Sequence, residues 1–476
     1  MFRNALAIMV LTPALALAPT LLFSGQYNFA VPIAHADDGD DGGDNGDNGD
    51  DGDDGDDGDD GDDGANRGGN RGDGARSGNN RGGAIIQRLF RRNQPGPAPA
   101  PAQSVQLPDR SPDEVLATGL NAAEVESLVA LGYTILDQQV LTSIDSTFVR
   151  FRVRNGISLE AARDEVEAAG NDVNADFNHY YRPTASSAAV VQEAVFRCEG
   201  PGCAAKRMIG WPLEALSNRS CSSNVRIGLI DTGINPDHIA FNHGRLELIT
   251  SPVEGLRKSG RRHGTAVASI LIGSQDSRTP GLLPDATVVA VDAFYRAGGN
   301  DERSDAYTLV RSVDLVRQRN VEIINMSLSG PPNTILERLM TDLASAGVIV
   351  VAAAGNRGPK ADPVYPAAYP NVIAVTAVDN NRRAYRRAGR GSHIDIASPG
   401  VEVWIAASVR GARFATGTSY AVPFTTAAVA LAIQGLEERD HQQVVAALAE
   451  HAIDIGETGR DDVFGYGLLQ ASGLCR

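Results

Sequence analysis

Apolar residues follow two regimes along this chain of 476 residues. Between Glu114 and His179 they come singly or in alternation. From Val225 onward they come in short unbroken runs separated by amphipathic stretches. In the first regime, Glu114 to Leu120 reads as a strand. Asn121 then caps a helix over Ala122 to Leu131, with Val125, Leu128, Val129 and Leu131 on one side. Tyr133 to Leu136 and Thr147 to Val153 read as strands, the second alternating Val149, Phe151 and Val153. Ser158 caps a helix from Leu159 to Ala169, and Asp172 to His179 makes a last strand. The order β-α-β-β-α-β in so short a stretch is the split βαβ, or ferredoxin-like, arrangement. That fold carries no function of its own.

In the second regime, Val225 to Ile230, Ala286 to Val291, Val321 to Met326, Val348 to Ala354 and Val372 to Val378 read as strands apolar on both faces. Helical stretches lie between them at His263 to Ile272, Asp305 to Arg319 and Asn333 to Ala346. Buried strands alternating with helices predict a parallel sheet covered on both faces, about 270 residues in one α/β domain. Chemistry in such sheets gathers at the carboxyl ends of the strands, where Asp231 and Asn356 fall. Ala421 to Ile433 is apolar all round and predicts a buried helix, with Ser419 in its first turn.

Composition changes the picture mainly at the N-terminus. The net charge is −16, but sixteen Asp and no basic residue lie between Asp37 and Gly64, so the rest of the chain is close to neutral. No general basic surface speaks for nucleic acid. Met1 to Ala36 has a basic residue, Arg3, then an apolar stretch from Ala5 to Phe23, then Ala34-His35-Ala36; this is the pattern of a cleaved secretory signal. An uncleaved anchor is the alternative, against which Pro13, Pro19 and the small-x-small site argue. The Asp/Gly run predicts disorder, since its charges repel and nothing apolar is available to bury. Weak, nonspecific calcium binding is the most its carboxylates predict. An Arg/Gly/Asn stretch from Ala65 to Asn93 and a Pro/Ala-rich stretch from Pro95 to Pro112 read as spacers. Four cysteines (Cys198, Cys203, Cys221 and Cys475) in an exported chain predict two disulfides among three possible connectivities. Cys198–Cys203 with Cys221–Cys475 is the expected pairing, with a metal site as the rival use.

Four local signals carry chemistry. Ile230-Asp231-Thr232-Gly233 ends a buried strand, and Arg262-His263-Gly264-Thr265 opens a helix. Ala354-Gly355-Asn356 ends another strand, and Gly417-Thr418-Ser419 opens the last large helix. A serine hydroxyl needs a base to accept its proton, a role for His263. The imidazole needs one tautomer and orientation, which a buried carboxylate, Asp231, supplies. A tetrahedral oxyanion needs donors: the Asn356 amide and the backbone N–H of Ser419. Taken singly, each residue is as readily a cap or a turn.

With the order Asp, His, Ser, the chain resembles the subtilisin-like serine peptidases from about Arg207 to Leu474. The likeness extends to Ile324-Asn325-Met326-Ser327-Leu328, to Tyr365 through Val375, and to Ala397-Ser398-Pro399-Gly400. It implies an α/β fold: a subtilisin-like three-layer domain with a mostly parallel sheet, preceded by a small α+β ferredoxin-like propeptide domain (113–183) and a disordered N-terminal tail. It also implies a connector at 184–206 and a peptidase domain at 207–476, with Ser327, Leu328 and Ser329 binding substrate. The propeptide assists folding, blocks the site with its C-terminal strand and is then cut away. Departures exist: Ala266 where a second histidine is usual, Tyr420-Ala421-Val422-Pro423-Phe424 after the serine, and Ser329 where glycine is common. The loop from Ser274 to Pro280, with Arg278, differs from the family's calcium loop, so no metal is expected; no cofactor is expected either. Arg357 and Lys360 beside the specificity pocket predict discrimination against basic residues just before the cut bond.

The expectation is therefore a secreted or periplasmic serine endopeptidase that matures itself. It acts on proteins or peptides, its own propeptide serves as inhibitor, and it has no nucleic acid partner and no stable membrane insertion after signal cleavage. A surface-interaction protein with a vestigial peptidase domain is the alternative, and a non-peptidase acyl hydrolase a third reading.

Overall fold

A computed structural model describes residues 107–184, 200–212, 224–243, 245–250, 252–253, 255–298, 301–436 and 439–474. The expected signal, the acidic, basic and Pro-rich stretches, and Cys198, Cys221 and Cys475 lie outside the described residues. Cys203 is disulfide-bonded.

The N-terminal module runs β1 (Arg110–Thr118), α1 (Ala122–Ala130), β2 (Thr134–Leu141), β3 (Ser146–Arg152), α2 (Leu159–Glu167) and β4 (Asn174–Pro183). Asn121 and Ser158 cap the two helices, the first in a full capping box with Glu124. Val115, Ala117, Val125, Leu128, Phe151 and Val166 form the module's own small core. The strands alternate, so their other face carries Leu116, Leu141 and Phe148, and these join the core of the larger module instead. Three strands run longer than the pattern predicts. β1 starts early, at Arg110, opposite His179. β2 continues through polar Asp137-Gln138-Gln139, because an edge strand paired with β3 needs no apolar face there. β4 continues through Tyr180 to Pro183, because partners far along the chain receive it.

The larger module contains α3 (Cys203–Met208), β5 (Arg226–Asp231), β6 (Leu246–Ile249), α4 (Arg262–Ile272), β7 (Thr287–Asp292), β8 (Tyr295–Gly298), β9 (Asp301–Asp305) and α5 (Ala306–Arg317). These are followed by β10 (Ile323–Met326), β11 (Leu328–Ser329), α6 (Thr334–Ser345), β12 (Ile349–Ala353), β13 (Val372–Val378) and β14 (Ile396–Pro399). The hairpin β15 (Val403–Ala406) and β16 (Ala412–Ala415) comes next, then α7 (Thr418–Ala432) and α8 (His441–His451). Among the described residues, seven strands form a parallel sheet in the order β14-β13-β12-β10-β5-β7-β6.

Alternation along these strands makes three layers. Ile227, Leu229, Val288, Ala290, Val351 and Val375 face one core with α4, α7 and α8. Ile230, Val289, Val291, Ile324, Val350 and Ala374 face the other with α5 and α6. The two edge strands β6 and β14 are short, and no long apolar run announces them.

The two modules meet at β4. Its first part pairs with β1. Tyr180 and Tyr181 pair with β9, and Arg182 and Pro183 with β11. The small module also meets the free N–H groups at two helix starts. Asp176 Oδ2 accepts from Thr334 N at 2.6 Å at the start of α6, and Asn178 Oδ1 accepts from Tyr307 N at 3.1 Å at the start of α5. Orphan N–H groups and the helix dipole both favour oxygen acceptors at such ends. Phe148 stacks on Tyr307 with ring centroids 4.8 Å apart. No helix among the described residues is long and apolar enough to cross a membrane.

Candidate active site

Asp231 is the last residue of β5, and His263 is the second residue of α4. Their side chains are almost fully buried, and His263 Nδ1 lies 2.7 Å from Asp231 Oδ1. A carboxylate can only accept here, so Nδ1 carries a proton. Nε2 has no hydrogen-bond partner. Thr232 N also donates to Asp231 Oδ1 at 2.7 Å, and Gly264 N donates to the Thr232 hydroxyl at 2.9 Å. These bonds fasten the start of α4 to the end of β5. They also explain the Gly264 of the sequence motif: a Cβ there would sit 2.3 Å from Thr232 O. The ring of Tyr420 lies 5.5 Å from the His263 ring, centroid to centroid.

Ser419 is fully buried in the first turn of α7. Pro423 stands four residues on and lacks the N–H that would bond the Ser419 carbonyl within the helix. That carbonyl is taken instead by Ser327 Oγ at 2.9 Å. Ser327 Oγ in turn accepts from Asn325 Nδ2 at 2.9 Å, and Thr426 Oγ1 donates to Asn325 Oδ1 at 2.9 Å. A buried polar network therefore joins α7 to the end of β10. Asn356, just past β12, accepts at Oδ1 from Thr418 N at 3.1 Å and Thr418 Oγ1 at 3.0 Å. Those two donors fix which end of the amide turns outward.

What Asn356 meets is the end of β4. Asn356 Nδ2 donates to the Thr184 carbonyl oxygen at 2.7 Å. Ser419 N donates to the same oxygen at 3.4 Å, and Ser419 Oγ donates to it as well. Thr184 N and Thr184 Oγ1 both donate to Ser327 O, at 3.4 and 3.3 Å. Leu328 pairs with Pro183 and Ser329 with Arg182. Of the expected site residues, Ser419, Asn356, Ser327, Leu328 and Ser329 bond Thr184 or the two residues before it. Asp231 with His263 forms one group, and Ser419 with Asn356 another. The Ser419 hydroxyl is directed at Thr184 rather than at His263.

Behind Asp231, Asp292 ends β7 in register with it. Burial pushes the Asp292 carboxyl up to about 6, against hydrogen bonds from Ser259 Oγ at 2.7 Å and Phe294 N at 3.3 Å. Sequence reasoning missed Asp292, Thr418, Thr426 and above all Thr184. An acidic residue at the end of a predicted strand was the available signal for Asp292. Nothing local marks Thr184, whose partners are 143 to 235 residues away.

The model of the Subtilase family matches residues 222–467, half of the chain, including the stretches around Asp231, His263, Asn356 and Ser419. The chain is a subtilase. Its family makes it a serine-type endopeptidase. Subtilisin DY of Bacillus licheniformis is 31% identical over 255 residues, spanning 52% of this subtilase and 89% of that protein. Subtilisin BL of Lederbergia lenta is 32% identical over 269 residues, 55% of this chain and 95% of that one. Against the minor extracellular protease Epr of Bacillus subtilis (strain 168), identity is 30%, and the match spans only 41% of that longer protein. Among solved structures, fervidolysin from Fervidobacterium pennivorans, a keratinolytic enzyme related to subtilisin, gives a TM-score of 0.62 at 21% identity over 78% of this subtilase and 62% of that chain. At that identity the likeness is one of fold.

Proposed function

We propose that this subtilase is an exported endopeptidase that matures itself by cutting the bond between Thr184 and Ala185. One observation carries the reading: the Thr184 carbonyl oxygen receives Asn356 Nδ2, Ser419 N and Ser419 Oγ together. Ser419 Oγ attacks the Thr184 carbonyl carbon, and its proton passes to His263 Nε2. Asp231 holds the imidazole through Nδ1 and stabilises the imidazolium. Negative charge develops on the carbonyl oxygen, where the Asn356 amide and the Ser419 N–H already point. Collapse breaks the C–N bond, and His263 returns the proton to the departing amine of Ala185. Water, deprotonated by His263, then hydrolyses the Thr184 ester and frees Ser419. Residues 113–183 act as the propeptide, and after the cut the module ending at Thr184 occupies the cleft as an inhibitor. Export follows from the signal-like Met1 to Ala36; the product is secreted or periplasmic.

Intact mass and N-terminal sequencing of the protein beside its Ser419→Ala variant test this. The expected result is a released fragment ending at Thr184 from the wild type and an uncut variant. A fragment ending elsewhere overturns the bond assignment, and equal processing of both overturns self-cleavage.

A further inference from the structure

We infer that Asp301 makes this subtilase select arginine as the third residue before the bond it cuts. The inference rests on the reading of Tyr181 to Thr184 as a peptide seated in the cleft as a substrate would be. In that peptide, alternate side chains leave on opposite sides. Tyr181, fourth residue counting back from the bond, is fully buried beside Gly330, where a Cβ would stand 2.4 Å from its ring. Arg182, the third, turns the other way, and its Nε donates to Asp301 Oδ1 at 3.1 Å.

Asp301 is built into the larger module. It opens β9, its side chain is only 9% exposed with β4 seated beside it, and its second oxygen, Oδ2, accepts from Arg303 Nη1 at 3.1 Å. The Arg303 guanidinium lies 5.9 Å from the centroid of the Tyr295 ring, within the larger module, and 3.8 Å from that of Tyr180 on the seated β4. One carboxylate is thus oriented by Arg303 through one oxygen and presents the other to the incoming chain. A mostly buried carboxylate oxygen gains most from a charged donor and loses most when none is offered. The planar Nε–H of arginine approaches it side-on, a geometry that the single ammonium of lysine does not reproduce. Arg182 has one further contact, Nη2 to Pro108 O at 2.8 Å, which lies within the N-terminal module. An ordinary peptide lacks that contact but keeps the one to Asp301. The pair therefore does more than tether the module if peptides supplied in trans feel it.

The test uses mature enzyme and quenched peptides Tyr-Xaa-Pro-Thr-Ala-Ser, with arginine, citrulline, alanine or glutamate as Xaa. Citrulline keeps the shape and removes the charge. The expected kcat/KM for arginine exceeds that for citrulline and alanine about tenfold or more, with glutamate lowest. In Asp301→Asn the arginine-to-alanine ratio falls to about one. Equal rates for arginine and citrulline in the wild type overturn the inference without recourse to any variant. A ratio that survives in Asp301→Asn also overturns it. Failure to cleave any of the peptides instead overturns the reading on which it rests.

Discussion

The two seven-stranded sheets of this subtilase are held in different ways. The parallel sheet is buried on both faces under helices that cover it. The mixed sheet is assembled from two modules, with β4 as the shared strand. Its N-terminal half owns a small core on one face and lends Leu116, Leu141 and Phe148 to the core of the larger module on the other, and its remaining contacts to that module are strand ends, helix-start acceptors and ion pairs such as Arg311–Asp137. Apolar burial on both faces makes a frame. Pairing along an edge, with one apolar face and polar anchors, makes a seat for a separate module. The site lies where the two meet.

The largest effects are expected at the strand and helix ends of the frame that meet Thr184. Ser419→Ala should lower peptide hydrolysis about 10⁶-fold, the scale known for the nucleophile of subtilisin. Asn356→Ala should cost about 10²–10³ in kcat, and because it also takes the acceptor from Thr418 N and Thr418 Oγ1 it should lower the melting temperature by a few degrees. An Asn356→Ala enzyme of normal kcat would remove the amide from the oxyanion site.

At the seat itself, Gly330→Ala puts a methyl into the Tyr181 ring. Cleavage of peptides with tyrosine at the fourth position should fall about 10–200-fold, with less change for alanine there. Equal losses for both peptides would mean that the glycine serves the backbone alone.

The anchors should matter less. Asp176→Ala and Asn178→Ala, made in the isolated N-terminal segment added in trans, should each weaken inhibition of mature enzyme about tenfold, the value of one helix-start acceptor. Unchanged inhibition would shift the weight of binding to Phe148 and Tyr181.

The smallest effect expected is in the frame, and it depends on pH. The Asp292 carboxyl titrates near 6 when folded, above the usual carboxylate range. Its ionised form is therefore a cost in the folded state above that pH, and the cost is relieved as pH falls from about 6 toward 4. In a Ser419→Ala background, Asp292→Asn should be more stable to urea by about 2 kcal/mol at pH 7.5, and the gap should close by pH 4. A gap that is constant with pH would assign the cost to something other than the charge.

Much of this molecule was legible in its residues. The parallel strands are β-branched runs, the module helices are capped by Asn121 and Ser158, and the motifs around Asp231, His263, Asn356 and Ser419 each sit at a strand end or a helix start. Such signals are local, because a strand's burial and a helix's cap are written within a few residues. Leu328 and Ser329 were expected as a binding strand only through the family resemblance; in the structure they pair with Pro183 and Arg182.

What only the tertiary structure decided is who meets whom. Thr184 has no local mark, yet three donors converge on its carbonyl. Arg182 and Asp301 are ordinary charged residues until β4 and β9 lie side by side. The carbonyl that Pro423 frees finds Ser327 only because β10 ends beside α7. Hydrophobic patterning sets elements and faces, since burial depends on a residue's own side chain. Pairings between polar groups 92 to 235 residues apart depend on how the closed sheet places its ends, and no window of sequence contains that information.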